Sequence, residues 1–340
     1  MRQLTCASPG MLEWRDVPSP TLDSDYGALV RPIAVARCDI DLFLAHGFIP
    51  AKGAFAIGHE CVAEIVALGD KTTGFQIGER VVVAFQLSCG TCNACRAGHT
   101  ANCDAYPTLS DYGMQPLSGV EYGGMLSDLV RVPFANAMLA KVPTPLDPVA
   151  LASVSDNVLD GFRAVASHLA QKPGSDVLIV SHGLPSLPLY AADAAIALGS
   201  RVDFASDDDE RLKLAESLGA RPLRTDFKRR ERRYPLVVDA GLTAAGLDFA
   251  IRSTEPEGIC QSISFYPGAP PPLPLRTMYT MGIQFFIGRT HAAALLPRVV
   301  SMIAASTLHP DKVTTRVVDS VTAASAWLEP ATKLVVRMDR

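Results

Sequence analysis

Four of the eight cysteines in this sequence lie close together, between positions 89 and 103. Their spacing is C-x2-C-x2-C-x7-C, formed by Cys89, Cys92, Cys95 and Cys103. Four thiolates match the tetrahedral coordination of zinc, and a site filled entirely by protein ligands holds a loop in shape without doing chemistry. An iron–sulfur cluster is one alternative, although the fourth cysteine is too distant for the usual bacterial run and lacks the proline that follows there. Unmetallated thiols are the other alternative, and the spacing favours structural zinc.

A second group of potential metal ligands is scattered along the chain. Cys38 lies in an apolar stretch, which alone is typical of core packing, and His59 alone is typical of a hydrogen-bonded polar residue. Both belong, however, to a series of motifs in a definite order. The series is Cys38 with Asp41 three residues on, Gly58-His59-Glu60, the cysteine loop 89–103, Asp156 followed by Gly161-Phe162, the apolar run Val177–Val180, and Val238-Asp239-Ala240. In this order the motifs resemble the zinc-dependent alcohol dehydrogenases of the medium-chain dehydrogenase/reductase superfamily, over essentially the whole chain.

The resemblance implies a catalytic zinc with the ligands Cys38, His59 and Asp156. It also implies that Glu60 serves as an alternate ligand. Three protein ligands leave one exchangeable position, which a Lewis acid needs for the oxygen of an alcohol or carbonyl substrate. By motif position, Phe85 lines the substrate pocket together with Ile40. Family members commonly carry a proton-relaying Ser or Thr where this chain has Ile40, which cannot exchange a proton.

The resemblance also implies a nicotinamide dinucleotide, but the expected glycine-rich turn is incomplete. Such a turn brings backbone amides close to a pyrophosphate at a helix N-terminus. After the run Val177–Val180 the sequence instead reads Ser181-His182-Gly183-Leu184-Pro185-Ser186-Leu187-Pro188. Only Gly183 is secure among the expected glycines, and each proline removes an amide, although a proline is tolerated in the first turn of a helix. Ser181 and Gly183 are the predicted cofactor contacts in this loop.

Further cofactor contacts are predicted at two other positions. Ser206 stands where the family carries an acid that binds ribose, and Asp207 could substitute for that acid by a one-residue slip. Asp208 and Asp209 add two more carboxylates, which would repel a 2′-phosphate, so NAD(H) is favoured over NADP(H). By family analogy Lys333 reaches the pyrophosphate, and a surface lysine is the alternative.

The segments that must position these residues fall into two parts of the chain. The two parts differ in the pattern of their apolar residues and meet near residue 153. Up to that point the apolar runs are short and broken by Gly and Pro, which predicts a barrel-like β domain. From Asp176 onward, continuous apolar runs alternate with segments of helical spacing, which predicts a parallel sheet covered on both faces. The fold class is therefore two-domain α/β. The resemblance identifies a GroES-like zinc domain over 1–153 and 291–340, and a doubly wound Rossmann domain over 154–290.

Composition limits the possible partners. The chain has 340 residues, 48% of them hydrophobic, and its 31 Lys and Arg against 35 Asp and Glu give a net charge of −4. No cation excess exists to neutralise a phosphate backbone, so nucleic acid is not expected as a partner. No apolar run reaches the roughly 18 residues of a membrane span. We expect a cytoplasmic protein with reduced cysteines, and the resemblance implies a homodimer or homotetramer, with Ile283–Ile287 as a candidate edge for pairing.

Two classes of enzyme agree with these features. The first is a zinc-dependent oxidoreductase that interconverts a small alcohol and a carbonyl compound by hydride transfer with NAD(H). The alternative is a lyase, hydratase or cyclase that uses the same zinc as a Lewis acid without net redox. This alternative is suggested because the expected glycines, the ribose-binding acid and the proton-relaying residue are all absent, whereas every zinc ligand is present. Both predict two zinc ions per chain, and the complete ligand set disfavours a third hypothesis, a binding module without activity.

Overall fold

The computed structural model describes residues 1–115, 117, 120, 122–266 and 268–338. The chain divides into two compact units. Unit 1 comprises Met1–Leu159, Thr290–Ser306 and Thr314–Arg340, and unit 2 comprises Asp160–Arg289 and Thr307–Val313. Among the described helices, none is long and apolar enough to cross a membrane.

The strands are numbered in chain order. They are β1 (Arg2–Ser8), β2 (Met11–Asp16), β3 (Ala28–Ala36), β4 (Phe55–Ala56), β5 (Glu60–Leu68), β6 (Arg80–Val83), β7 (Val130–Val132), β8 (Leu139–Lys141), β9 (Val177–His182), β10 (Val202–Ser206), β11 (Arg221–Arg224), β12 (Tyr234–Gly241), β13 (Thr254–Ser262), β14 (Gln284–Ile287), β15 (Arg316–Asp319) and β16 (Leu334–Arg337).

The helices are numbered in the same way. They are α1 (Asp39–Ala45), α2 (Asn93–Arg96), α3 (Ala135–Met138), α4 (Pro148–Leu151), α5 (Asn157–Gln171), α6 (Leu187–Ala197), α7 (Asp209–Leu218), α8 (Ala244–Arg252), α9 (Leu275–Met281), α10 (Ala292–Ala304) and α11 (Ala323–Ala326). Short 3-10 helices cover Thr100–Asn102, Ala152–Ser155, Pro310–Val313 and Ser320–Thr322.

Unit 1 is built from two sheets. A seven-stranded sheet has the order β15-β16-β3-β5-β6-β8, with β7 also paired to β3, and a three-stranded sheet has the order β2-β1-β4. The long strands β3 and β5 are antiparallel neighbours, and their register places Ala36 opposite Glu60. The end of β3 and the start of β5 therefore meet at one point of the sheet. That point matters because the chain positions just beyond it are Cys38 and His59.

Unit 2 is a six-stranded sheet in the order β11-β10-β9-β12-β13-β14. Every pairing in it is parallel. The first strand, β9, is central; the chain adds β10 and β11 on one side and then β12, β13 and β14 on the other. The strand order therefore reverses between β9 and β12, which is the arrangement of a doubly wound Rossmann sheet. The predicted α/β fold, with a β-rich domain and a parallel-sheet domain, is confirmed.

Local sequence signals set the ends of the helices in unit 2. Helix α7 begins after Asp208, whose carboxylate accepts a hydrogen bond of 2.9 Å from the amide of Arg211. It ends at Gly219, which adopts a left-handed conformation with φ of 105°. Helix α6 carries Pro188 in its first turn, where the missing N–H costs no helical hydrogen bond.

The boundary between the units lies later than the sequence predicted. The structure keeps residues up to Leu159 in unit 1 and assigns 307–313 to unit 2. Two contacts explain this. Ser155 Oγ accepts a hydrogen bond from the Cys61 amide at 2.8 Å and donates one to the Cys61 carbonyl at 3.1 Å, which ties the segment before Asp156 to β5. The amide of His309 donates to Asp193 on α6 at 2.8 Å.

Candidate functional site

The thiol of Cys38 is held at the junction of β3 and α1. Cys38 precedes the first residue of α1, and its amide donates a 2.8 Å hydrogen bond to Asp41 Oδ2. The preceding residue, Arg37, is buried and donates to the carbonyl oxygens of Trp327 at 2.7 Å and Glu329 at 2.6 Å. The same guanidinium therefore fixes the start of α1 and the segment that leads into β16.

The imidazole of His59 is oriented by a carboxylate and by a glycine turn. Gly58 has a φ of 86°, and a Cβ there would lie only 3.2 Å from a Val35 methyl group. This left-handed conformation, which glycine adopts without strain, turns the chain into β5. His59 is fully buried, and its Nδ1 lies 3.3 Å from Asp41 Oδ1. Asp41 thus holds one ring nitrogen and leaves Nε2 for another partner.

Asp156 closes the group from a third element. It follows the 3-10 helix Ala152–Ser155, which the hydrogen bonds of Ser155 attach to β5. Its Oδ2 lies 3.2 Å from Cys38 Sγ and 3.3 Å from His59 Nε2. The three donor atoms all lie within 4.8 Å of one another. Cys38 and His59 are buried, whereas the Asp156 side chain keeps 14% of its surface exposed.

This donor set fits a zinc ion. Zinc bonds of about 2.0–2.3 Å at tetrahedral angles place neighbouring ligand atoms roughly 3.3–3.8 Å apart, close to the separations of Asp156 from its two neighbours. A thiolate, an imidazole and a carboxylate supply three ligands of types that zinc prefers, and a fourth position stays available for an oxygen atom. The ion itself is not part of the structure, and the fit rests on these donor atoms.

The charges in the site favour a bound cation. Burial raises the pKa of the Cys38 thiol, and the Asp156 carboxylate raises it further. Burial opposes protonation of His59, but Asp41 and Asp156 outweigh it and raise the pKa of the imidazole. Binding of a divalent cation would displace protons from such groups, because metal ligands bind in the deprotonated form.

Lys333 lies beside this site. Its Nζ is fully buried and contacts Glu60 Oε2 at 2.5 Å and Asn157 Oδ1 at 2.7 Å. Burial raises the pKa of Glu60 to about 7, against the lowering effect of the Lys333 ammonium. Lys333 thus forms a buried ion pair with Glu60, and its contact with a pyrophosphate stays a prediction.

Two predicted pocket residues lie near the metal ligands. The ring of Phe85 is buried, and its centroid is 5.6 Å from that of His59. Ile40 is half-buried on α1, two residues after Cys38. An aromatic ring next to a metal-binding imidazole gives this side of the site an apolar wall.

The four clustered cysteines form a separate donor set. Their sulfur atoms lie within 4.8 Å of one another, and the Sγ atoms of Cys92 and Cys103 are 3.9 Å apart. Among the described residues, no cysteine forms a disulfide. Burial opposes ionisation of Cys89, but hydrogen bonds from Thr91 and from the Cys92 amide lower its pKa to about 6. Four converging sulfur atoms fit the predicted structural zinc.

The residues predicted to bind the nucleotide lie at the carboxyl ends of strands in unit 2. They differ in burial and in hydrogen bonding. Gly183 follows β9 with a φ of 110°. Ser181 is buried, and its hydroxyl has no hydrogen-bond partner among the described residues. Ser206 is also buried, and its hydroxyl accepts from the Asp208 amide at 3.2 Å. Asp207 is the accessible one of the two ribose candidates, with 44% of its side chain exposed.

A contact that the sequence did not predict spans this edge of the sheet. His182 Nδ1 is hydrogen-bonded to Thr243 Oγ1, and Nε2 lies 3.6 Å from Asp207 Oδ2. The imidazole centroid is 4.4 Å from that of Phe227. The Thr243–His182–Asp207 bridge thus joins the last residue of β9 to the loops after β12 and β10. The strand order reverses between β9 and β12, and ligands of such sheets bind in the crevice at that point.

Asn157 is the other functional candidate that sequence reasoning missed. It is buried directly after Asp156, and its side chain contacts both Cys38 and Lys333. Its position next to a metal ligand was the only signal available in the sequence. Both partners lie far from it along the chain: Cys38 follows β3, and Lys333 directly precedes β16.

Comparisons with known proteins agree with this geometry. Residues 24–144 match the model of the alcohol dehydrogenase GroES-like domain. The medium chain reductase/dehydrogenase ucsI of Acremonium sp is 33% identical over 217 residues, which are 62% of this chain and 71% of that protein. A probable zinc-binding alcohol dehydrogenase of Mycobacterium tuberculosis is 26% identical over 322 residues, 93% of this chain and 81% of the relative. The solved alcohol dehydrogenase TADH from Thermus sp. ATN1 superposes with a TM-score of 0.90 at 26% identity, with both chains covered completely.

A GroES-like domain that carries a Cys-His-Asp donor set, together with a parallel sheet of Rossmann order, defines an oxidoreductase of the zinc-type alcohol dehydrogenase class. The chain belongs to the medium-chain dehydrogenase/reductase family. Membership implies zinc, a nicotinamide cofactor and a small-molecule substrate.

Proposed function

We propose that this enzyme interconverts an alcohol and a carbonyl compound by hydride transfer with NAD(H). The observation that carries the proposal is the donor set of Cys38, His59 and Asp156, which holds three ligand atoms together and leaves one side for an oxygen atom. A zinc ion bound there supplies a Lewis acid that polarises the substrate's oxygen. Asp41 fixes the ring of His59, and Phe85 shields one flank of the site from water.

The apolar flank favours a substrate with an apolar body. Phe85 is buried beside His59, and Ile40 presents an aliphatic side chain near the start of α1. We expect the substrate oxygen to lie on the side of the site that the three protein ligands leave open, with the carbon skeleton of the substrate against Phe85 and Ile40. In this arrangement Glu60 stays paired with Lys333, and exchange of Glu60 into the zinc sphere would first require that ion pair to break.

The edge of the sheet in unit 2 supports NAD(H) as the cofactor. The Asp207 carboxylate is exposed at the carboxyl end of β10, where it can accept hydrogen bonds from a ribose diol. The Ser181 hydroxyl, which has no hydrogen-bond partner among the described residues, lies near the end of β9, and the turn at Gly183 follows that strand, where a pyrophosphate approaches in this fold. Arg211 lies 3.6 Å from Asp207 and 3.5 Å from Asp208, and Arg224 pairs with Asp209, so these carboxylates are partly balanced. The preference for NAD(H) over NADP(H) therefore rests on Asp207 as an acceptor for the ribose diol.

His182 must move for a dinucleotide to enter the crevice. We therefore expect His182→Ala to bind NADH about tenfold more tightly than the unaltered chain, because two polar contacts no longer have to break. The measurement is a calorimetric or fluorescence titration with NADH. His309→Ala is the matched control, since that histidine belongs to unit 2 but lies outside the Thr243–His182–Asp207 bridge. Equal affinity in both variants would contradict the expected cost of opening the bridge.

The Thr243–His182–Asp207 bridge also supports a second candidate function, that of a zinc lyase, hydratase or cyclase without net redox. In that case the crevice stays closed and the metal acts on a carbonyl group alone. The titration separates the two candidates. If neither the unaltered chain nor His182→Ala binds NADH at millimolar concentration, and turnover persists after removal of all nicotinamide, the redox proposal is wrong.

We further propose that the enzyme is a homodimer or homotetramer that pairs through β14. This strand is hydrogen-bonded only to β13 among the described strands, and Phe286 and Ile287 expose 49% and 59% of their surface. An unpaired apolar edge strand is a template for pairing with a second copy. Light scattering is expected to give a mass of two or four chains, and Ile287→Lys is expected to lower it. A monomer in both cases would contradict the proposal.

A further inference from the structure

Asn157 uses all of its polar groups within the buried surroundings of the metal ligands. Its backbone amide donates to Glu60 Oε1 at 2.8 Å, and its Oδ1 accepts from Lys333 Nζ at 2.7 Å. Its Nδ2 lies 3.1 Å from Cys38 Sγ and 3.2 Å from Asp156 Oδ2. One side-chain amide therefore faces two of the three ligand atoms and a lysine at once.

Lys333 determines which way this amide points. An ammonium group has donors and no acceptor, so it must face the carbonyl oxygen of Asn157. The NH2 group is then turned toward the sulfur of Cys38 and the carboxylate of Asp156. A flipped amide would set its NH2 against the ammonium and its oxygen against a thiolate, which loses every one of these contacts. Glu60 balances the charge of Lys333 at 2.5 Å and completes the buried set.

We propose that Asn157 is a positioning residue that donates an N–H···S hydrogen bond to the Cys38 thiolate, and that Lys333 locks it in the donating orientation. The inference rests on the proposed zinc site. A donor to a metal-bound thiolate withdraws electron density from the sulfur, which weakens sulfur donation and leaves the metal a stronger Lewis acid. The second proton of the same NH2 group steadies the Asp156 carboxylate. Asn157 thus weakens electron donation by the Cys38 sulfur and orients the Asp156 carboxylate.

Cobalt(II) in place of zinc tests the proposal through the sulfur-to-metal charge-transfer band of Cys38. The spectrum of Asp156→Ala, which retains only the four-cysteine site, is subtracted to remove the contribution of that site. Removing the N–H donor with Asn157→Leu raises the energy of the sulfur electrons, so the band is expected to move to longer wavelength by on the order of 10 nm. Lys333→Met, which frees the amide to rotate, is expected to shift the band in the same direction.

Asn136→Leu is the matched control. Asn136 is an exposed asparagine of the same unit, and its side chain is hydrogen-bonded to Thr73, away from the three donor residues. This variant is expected to leave the band in place. Retention of cobalt against a chelator is expected to fall about 10–100-fold in Asn157→Leu. An unmoved band in both Asn157→Leu and Lys333→Met would overturn the inference and leave the zinc site standing. A difference spectrum without any thiolate band in the unaltered chain would overturn both.

Discussion

Replacing Asp156 with alanine is expected to lower the zinc content from two ions per chain to one and to reduce alcohol oxidation by about 10³-fold or more. The loss follows because Asp156 Oδ2 lies beside both other donor atoms, at 3.2 Å from Cys38 Sγ and 3.3 Å from His59 Nε2, and is the third ligand of the proposed site. Lewis-acid activation by a metal is worth several kcal/mol, and each 1.4 kcal/mol corresponds to about tenfold in rate. Metal analysis by mass spectrometry and initial rates measure the two effects.

Asp160→Ala is the control for this substitution. Asp160 lies four residues further on, and its carboxylate pairs with Arg163 at 2.7 Å. We expect this variant to keep two zinc ions per chain and near-normal rates. An Asp156→Ala protein that retained both zinc ions and its activity would show that the carboxylate is not a ligand.

The second large effect concerns the four-cysteine loop. Cys95→Ser is expected to remove the other zinc ion and to lower the melting temperature by about 10 °C or more. The reason is that the loop 89–103 contains only one short α-helix and one short 3-10 helix, and its buried centre consists mainly of the converging sulfur atoms. Structural zinc binds with a free energy of about 10–16 kcal/mol in small finger domains, and that energy is folding energy.

Calorimetry and metal analysis of Cys95→Ser and of Cys6→Ala test this expectation. Cys6 is a buried cysteine outside the loop, so its replacement controls for the loss of a thiol from a core. Cys6→Ala is expected to retain two zinc ions per chain with a modest change in melting temperature. If Cys95→Ser bound two zinc ions and melted like the unaltered chain, the structural role of the loop would be disproved.

The two groups of potential metal ligands could be predicted from the sequence because motifs carry them. Cys38 and His59 stand at the end of β3 and the start of β5, whose register places Ala36 opposite Glu60. The cysteine loop has a spacing that few other structures share. For the same reason the parallel sheet of unit 2 followed from its continuous apolar runs. The types of the ligand residues and the strand patterns can be recognised in short stretches of sequence, so they could be predicted without the structure.

The surroundings of the site could not be predicted, because they depend on contacts between distant segments. The sequence does not predict that the side chain of Lys333 is buried against Glu60 and Asn157, which lie far from it along the chain. The bridge from His182 to Asp207 and Thr243 joins three loops whose approach depends on the order of the strands. Packing and charge determine the direction of a long polar side chain. The spacing of residues along the sequence contains neither kind of information.

The unit boundary shows a similar limit. The pattern of apolar residues changes near residue 153. In the structure, however, unit 1 continues to Leu159. Hydrogen bonds of Ser155 to Cys61 hold it there. This placement has a functional consequence, since it puts Asp156 in the same unit as Cys38 and His59.

Anomalous X-ray diffraction on either side of the zinc absorption edge, from crystals of the full chain, tests the central claim most directly. The account predicts two zinc peaks per chain. One lies among the four sulfur atoms of the cysteine loop, and the other contacts Cys38 Sγ, His59 Nε2 and an Asp156 carboxylate oxygen. A single peak in the cysteine loop, in a zinc-saturated crystal whose Cys38, His59 and Asp156 side chains bind no metal, would contradict it.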